Sequence, residues 1–201
     1  MRFALFASLI LTASAAQAFE PGTLGEPTEE EGYVNRCVFL EEGNACEIHA
    51  RGAIFLAIVG GPSDPDAMIA LAKLPQGAPV KFTGDMISMG DVTVDFALNT
   101  LAPNPEDPLA ALVQGFQGTW TQGGREITIG GLEWANAEVA NYLISIGTGC
   151  SDGVDLGATH LSLYEMGGDP FTSICLEVVD QTDARIGLRD VATGEDMSLT
   201  R

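Results

Sequence analysis

Beyond residue 32 the chain repeats the alternation of apolar and polar side chains that marks a strand with one buried face. The clearest case is DVTVDFALNTL (91–101), where Val92, Val94, Phe96 and Leu98 alternate with Thr93, Asp95, Ala97 and Asn99. YVNRCVFL (33–40) and ACEIHARG (45–52) flank the polar turn EEGN and predict a hairpin. AIFLAIVGG (53–61) is a continuous apolar run closed by glycines, the pattern of a buried strand. The period then changes. In SDPDAMIALAKL (63–74), Met68, Ile69, Leu71, Ala72 and Leu74 make a broad apolar helical face. Asp64 is placed to cap this helix, Pro65 suits its first turn, Asp66 complements its dipole, and Pro75 and Gly77 end it. APVKFTGDMI (78–87) returns to strand, so the order is three strands, a helix and two strands.

APNPEDP (102–108), with three prolines in seven residues, marks a domain boundary. LAALVQG after it supplies one or two helical turns, with Asp107 as a cap and Pro108 in the first turn. Eight short segments follow: GTWTQ, REITIG, GLEWANA, VANYLISIG, ATHLSLYE, TSICLEVVD, ARIGLRD and EDMSLTR. They are separated by Gly, Asp and Asn, and no crossover helix interrupts them. An antiparallel barrel or sandwich is predicted. The expected fold class is therefore mainly β, in two small domains spanning 33–101 and 109–201, joined by the proline-rich linker 102–108.

The N-terminal residues change the picture of where this protein works. MRFALFASLILTASAAQA (1–18) has a basic residue, a short apolar run and an Ala-x-Ala end, the three parts of a secretory signal peptide. Its apolar run is shorter than the ~20 residues of a membrane span. A mature chain beginning at Phe19, periplasmic or secreted, with no membrane insertion after signal removal, is the expectation. Residues 19–32, FEPGTLGEPTEEEG, carry two prolines, three glycines and five acids, and read as a flexible, solvated acidic lead-in.

Without Arg2, 8 basic residues face 28 acidic ones, a net charge of −20. Nucleic-acid binding rests on neutralising phosphates with Lys and Arg, so this balance argues against a nucleic-acid partner. It argues equally against docking on anionic lipid. Four cysteines, Cys37, Cys46, Cys150 and Cys175, sit in a chain expected to be exported, where disulfides persist. Cys37–Cys46 and Cys150–Cys175 are the favoured pairs, because each lies within one local stretch of the predicted fold. On the chain-entropy account each contributes roughly 2–4 kcal/mol. Zinc does not fit: there is no Cys-x-x-Cys, and His49 and His160 are far apart in sequence.

The order of elements in 33–101 resembles the oligonucleotide/oligosaccharide-binding (OB) barrel, with a generic α+β domain as the other reading. In the second half, a short helix followed by Gly118-Thr119-Trp120 on the first of eight strands resembles the start of the lipocalin and calycin barrels. That resemblance implies that Trp120 closes one end of the barrel, with Arg201 on the last strand packed over its ring. The strands are shorter than those of a ligand-carrying lipocalin. Ile127, Ile129, Leu132, Trp134, Leu143, Ile144, Ile146, Leu161, Leu163, Ile174, Leu176, Val178, Ile186 and Leu188 suffice to fill a narrow barrel. A small secreted calycin-type inhibitor of bacterial metalloproteases is similar in size. It is thought to plug its protease with its N-terminal tail, whereas here a whole domain precedes the barrel.

No catalytic constellation stands out. His49 and His160 are the only histidines and no Gly-x-Ser-x-Gly occurs; His160 is expected on the outward face of its strand. DGVDLG (152–157) and GGPSDPD (60–66) alternate acids and glycines but lack EF-hand spacing, and read as turns and caps. No metal and no cofactor is implied. Three function classes follow: an exported non-enzymatic binding or protein-interaction protein, taking a small apolar ligand or a protein partner; a calycin-type protease inhibitor; and a carboxylate-dependent hydrolase. A filled or an open barrel, and the spacing of any facing carboxylates, separate them.

Overall fold

A computed structural model describes residues 19–40, 43–136, 141–150, 155–167 and 172–201. The expected signal peptide, residues 1–18, lies outside the described residues. Two closed β-barrels follow one another along the chain.

The first barrel has the strands β1 (Glu26–Leu40), β2 (Gly43–Ala50), β3 (Ala53–Ile58), β4 (Pro79–Met89) and β5 (Thr93–Pro103), in the circular order β1-β2-β3-β5-β4. The helix α1 (Pro65–Leu71) lies between β3 and β4, and lets β5 return parallel to β3. Closure depends on the 15-residue β1, which changes partner midway. Glu26–Tyr33 pair with β4 from Met86 back to Pro79, and Tyr33–Leu40 pair with β2. Phe55, Phe82 and Phe96 fill the interior in mutual edge-to-face contact, with centroids 5.3–5.5 Å apart.

The acidic lead-in is corrected by this barrel. Residues 26–32 are the first half of β1, and the turn before them is fastened rather than loose. The Asp85 carboxylate accepts from the amides of Gly22 (2.8 Å) and Leu24 (2.9 Å). Burial pushes the Asp85 carboxyl up, but the amides of Gly22, Leu24, Gly25 and Thr23 outweigh it and hold the group below the usual carboxylate range. The main chain of residues 26–32 pairs whatever its side chains are, so the run of glutamates hid a strand. The helix start is as expected: Asp64 accepts from the Ala67 amide at 2.9 Å, with Pro65 at the first position. Ile69, expected on the apolar face, is 53% exposed.

The second barrel begins with α2 (Ala110–Phe116) and closes with eight antiparallel strands. These are β6 (Gly118–Gln122), β7 (Arg125–Gly130), β8 (Glu133–Ala135), β9 (Asn141–Gly149), β10 (Asp155–Glu165), β11 (Ser173–Gln181), β12 (Arg185–Asp190) and β13 (Asp196–Thr200). Each matches one predicted segment, and Thr200 on β13 pairs with Thr121 on β6 to complete the ring. The segment 102–108 is less of a spacer than its prolines indicate. β5 runs to Pro103, and buried Asn104 donates its backbone amide to the Pro79 carbonyl at 2.9 Å. Asp107 does not cap α2. The helix has Leu109 at its N-cap without a side-chain bond, and the Asp107 carboxylate accepts from the Leu109 amide at 2.8 Å before the helix begins.

Both disulfides join the expected cysteines, Cys37–Cys46 across the β1–β2 hairpin and Cys150–Cys175 between the end of β9 and β11. Bridges of this kind form and persist in an oxidising compartment. Among the described residues no helix is long and apolar enough to cross a membrane.

Candidate functional site

Among the places that carry chemistry or space are the two ends of the second barrel, the joint between the barrels, and a groove beside α1.

One end of the second barrel is shut by the segment GFQGTW. Val113 and Phe116 on α2 are buried in the barrel core, and Trp120 is 1% exposed with its indole Nε1 donating to the Phe116 carbonyl at 2.7 Å. The Arg201 guanidinium lies 4.0 Å from the Trp120 ring centroid. It also donates to the Gln117 and Asp183 carbonyls, so a cation–π contact is combined with hydrogen bonds at the rim. The glycine of Gly-x-Trp has a local cause. Gly118 has φ +112°, and an added Cβ would stand 3.4 Å from the Arg201 guanidinium. Arg201→Ala is expected to cost about 0.5–2 kcal/mol in urea unfolding, less than loss of the ring it covers, because the contact is partly solvated. A cost at or above that of Trp120→Ala would contradict this ranking.

The opposite end is where β6, β8, β10 and β12 finish and β7, β9, β11 and β13 begin. Here the core stops short of the rim. A hollow of about 170 Å³ is floored by Trp134, Tyr142, Leu163, Ile174, Leu176 and Met197. Gln122, Arg125 and Asn136 add polar groups to its wall. Of the residues expected to fill the barrel, most are buried in its core, Ile146, Ile174 and Val178 are only partly buried, and Leu143 is buried outside that core. A separate apolar groove of about 300 Å³ runs beside α1 on the first barrel, past Val59, Met68 and Ile69.

The third place was not visible in the sequence. The β7–β8 turn of the second barrel is pressed against the outer face of β1 and β2. Asn35 donates to Glu47 (2.6 Å) and Glu133 (3.2 Å) and accepts from Gln76 (3.0 Å). Arg36 lies 3.2 Å from Glu47 and 3.7 Å from Glu133. His49, 1% exposed, accepts the Leu132 backbone N–H at Nδ1 over 3.1 Å. Burial above all, then the Arg36 charge, lowers the His49 pKa to about 3. The Glu133 carboxyl is raised, chiefly by burial and also by Glu47, against the pull of Arg36 and Asn35.

Contact between the barrels explains why β2 buries neighbouring residues. Ile48 faces its own core while His49 faces the other barrel. Gly131, at the tip of the turn, has φ +58°, and an added Cβ would stand 2.8 Å from the Asn35 Cα. Gly131→Ala is expected to destabilise the protein by about 1–3 kcal/mol, through strained backbone and forced separation. Thermal unfolding measures it, and an unchanged midpoint would mean that the turn does not bear on β1.

Glu47, His49 and Glu133 each bring one potential ligand atom within 4.8 Å of the others. The donor set does not fit a divalent ion. A neutral imidazole that accepts at Nδ1 carries its proton on Nε2, the atom facing Glu133. Metal-bound histidines instead donate from their other nitrogen to an acceptor. Both carboxylates are also already engaged by Asn35 and Arg36, with side-chain exposures of 14% and 17%. Their spacing is the nearest approach to a hydrolase pair among the groups just described, but its geometry is that of a joint.

His160, expected to face outward, is 3% exposed, with its Nδ1 2.8 Å from the Ala158 carbonyl. Asp64 serves as the α1 cap, and Asp155 accepts from the Gly157 amide at 2.8 Å; residues 151–154 of the other acidic loop lie outside the described residues. Comparison with protein-family models, with curated proteins and with solved structures finds no match to this chain.

Proposed function

We propose that this is an exported, non-enzymatic binding protein that takes a small, largely apolar ligand at the mouth of a calycin-type barrel. The observation that carries the reading is the hollow of about 170 Å³ opposite Trp120. Its apolar floor with a few polar groups on the wall is the composition of small-molecule sites, which occur in the mouths of β-barrels. Its volume is close to the ~150 Å³ of a cavity that holds benzene, so the ligand is about one ring in size. The calycin reading is supported by the eight-stranded antiparallel closure, the preceding helix, and Arg201 stacked on Trp120. The first barrel is read as OB-like on its strand order and the position of α1. Its acidic surface disfavours the nucleic acids that some barrels of that shape bind.

Two measurements test the reading. Native mass spectrometry of protein purified from its own cells should show a bound small molecule. An NMR titration with benzyl alcohol should shift the Tyr142, Leu163 and Ile174 resonances, and Ile174→Trp, which fills the hollow, should abolish the shifts. Shifts that survive Ile174→Trp, or that cluster around Val59 and Ile69 instead, would move the site to the groove beside α1 and overturn this assignment.

A further inference from the structure

The joint between the barrels holds a buried histidine whose one hydrogen-bond partner suits only the neutral ring. In the neutral ring, Nδ1 accepts the Leu132 amide across the joint, while Nε2 has no hydrogen-bond partner. The nearest carboxylate to Nε2 is Glu133 Oε1, at 3.9 Å. Charged groups reach this ring from three strands: Arg36 on β1, Glu47 on β2 and Glu133 on β8. The neutral amides of Asn35 and Gln76 complete the cluster.

A second proton on the ring must go to Nδ1, where it would point at the Leu132 N–H, a donor against a donor. The imidazolium has no acceptor left for that amide. The Leu132 amide, buried and without an acceptor, can recover a partner only from water.

We propose that the joint is an acid-operated latch, in which protonation of His49 removes the acceptor of the Leu132 amide and frees the β7–β8 turn from the first barrel. At neutral pH the latch is shut, because burial keeps the ring uncharged. Once the joint opens, the ring meets water and takes a proton near the ordinary histidine value, so acid favours the open form. The linkage sets the steepness: one proton gained on opening raises the open population roughly tenfold for each pH unit below ~6.5. The Leu132 carbonyl remains bonded to the Ile144 amide at 2.7 Å, so the turn leaves as part of the second barrel and that barrel's own ladder is kept. The inference is independent of any ligand at the barrel mouth.

Amide exchange and ring titration by NMR, on the mature full chain between about pH 7 and pH 4, test the latch. The expected result is that exchange of the Leu132 amide, corrected for its intrinsic acid dependence, accelerates roughly tenfold per pH unit while the Ile144 amide stays protected. The His49 ring should titrate well below the free-histidine value, with the Leu132 resonance shifting at the same midpoint. His49→Gln offers an acceptor that does not titrate, and should keep Leu132 protected across the range. A His49 ring that titrates near 6.5 with Leu132 undisturbed would overturn the proposal. So would equal acid exposure of Leu132 in His49→Gln, which would place the trigger in the carboxylates. Should His49→Gln fail to fold, the titration of the unmodified protein still decides.

Discussion

Replacing Trp120 by alanine is expected to destabilise the second barrel by about 3–5 kcal/mol, the range for a large buried aromatic. The ring is 1% exposed, sits under Arg201, and is tied through its indole N–H to the Phe116 carbonyl. Its loss therefore removes three things together: apolar burial, the cation–π contact, and the bond that holds α2 across the barrel end. Trp120→Phe separates them. It keeps a ring beneath Arg201 and gives up the indole bond, leaving the Phe116 carbonyl short of a donor, at about 1–2 kcal/mol. Urea unfolding followed by near-UV circular dichroism measures both. An alanine variant losing less than about 1 kcal/mol would show that the barrel end is held by α2 alone.

The second large effect is acid destabilisation through His49. The folded pKa, about 3, lies below the unfolded value of about 6.5. The unfolded chain therefore binds the extra proton first, and stability rises with pH across the interval between the two values. The contribution is fully present above ~6.5 and is lost progressively as pH falls toward 3. At ~1.4 kcal/mol per pKa unit, the loss by about pH 4 is on the order of 3 kcal/mol. Asp85 and Asp190, whose carboxyls are held low by backbone amides, also weaken the fold in acid. Glu133, whose carboxyl is raised, acts in the opposite sense. The informative quantity is thus the difference between the parent protein and His49→Gln. Unfolding free energies at about pH 7 and pH 4 should converge for the two proteins as acid is added, with the variant losing less. Parallel losses would mean that His49 is not buried as a neutral ring.

Much of the fold was readable along the chain because its cause is local. Alternation with a period of two fixes a strand and its buried face, and turn residues cut the strands apart; all eight segments after residue 117 follow from that pattern. The Asp64–Pro65 start of α1 and the two disulfides were equally local, since each involves residues joined by a short stretch of chain. Even the Gly118-Thr119-Trp120 motif carried its own geometry, because a residue with positive φ beside a stacked guanidinium excludes a side chain.

Three features needed the tertiary structure. The glutamates of residues 26–31 look solvated, and they are mostly so; what makes them a strand is the main chain of β4, some 50 to 60 residues away. Side-chain composition carries no signal for a ladder made by backbone groups. Whether the second barrel was full or hollow turned on where its core residues stop along the barrel axis, which a list of apolar positions does not contain. The joint was the furthest from view. Glu47 and His49 stand two residues apart on one face of β2, the polar face of a strand as the sequence presents it. Only docking of Leu132 and Glu133, more than eighty residues later, buries that face and turns an ordinary histidine into one that must stay uncharged. Sequence pattern determines which side of a strand avoids water when the strand folds with its neighbours. It does not determine which polar side a second barrel will cover, and here that contact sets the protonation of His49 and the acid response of the joint.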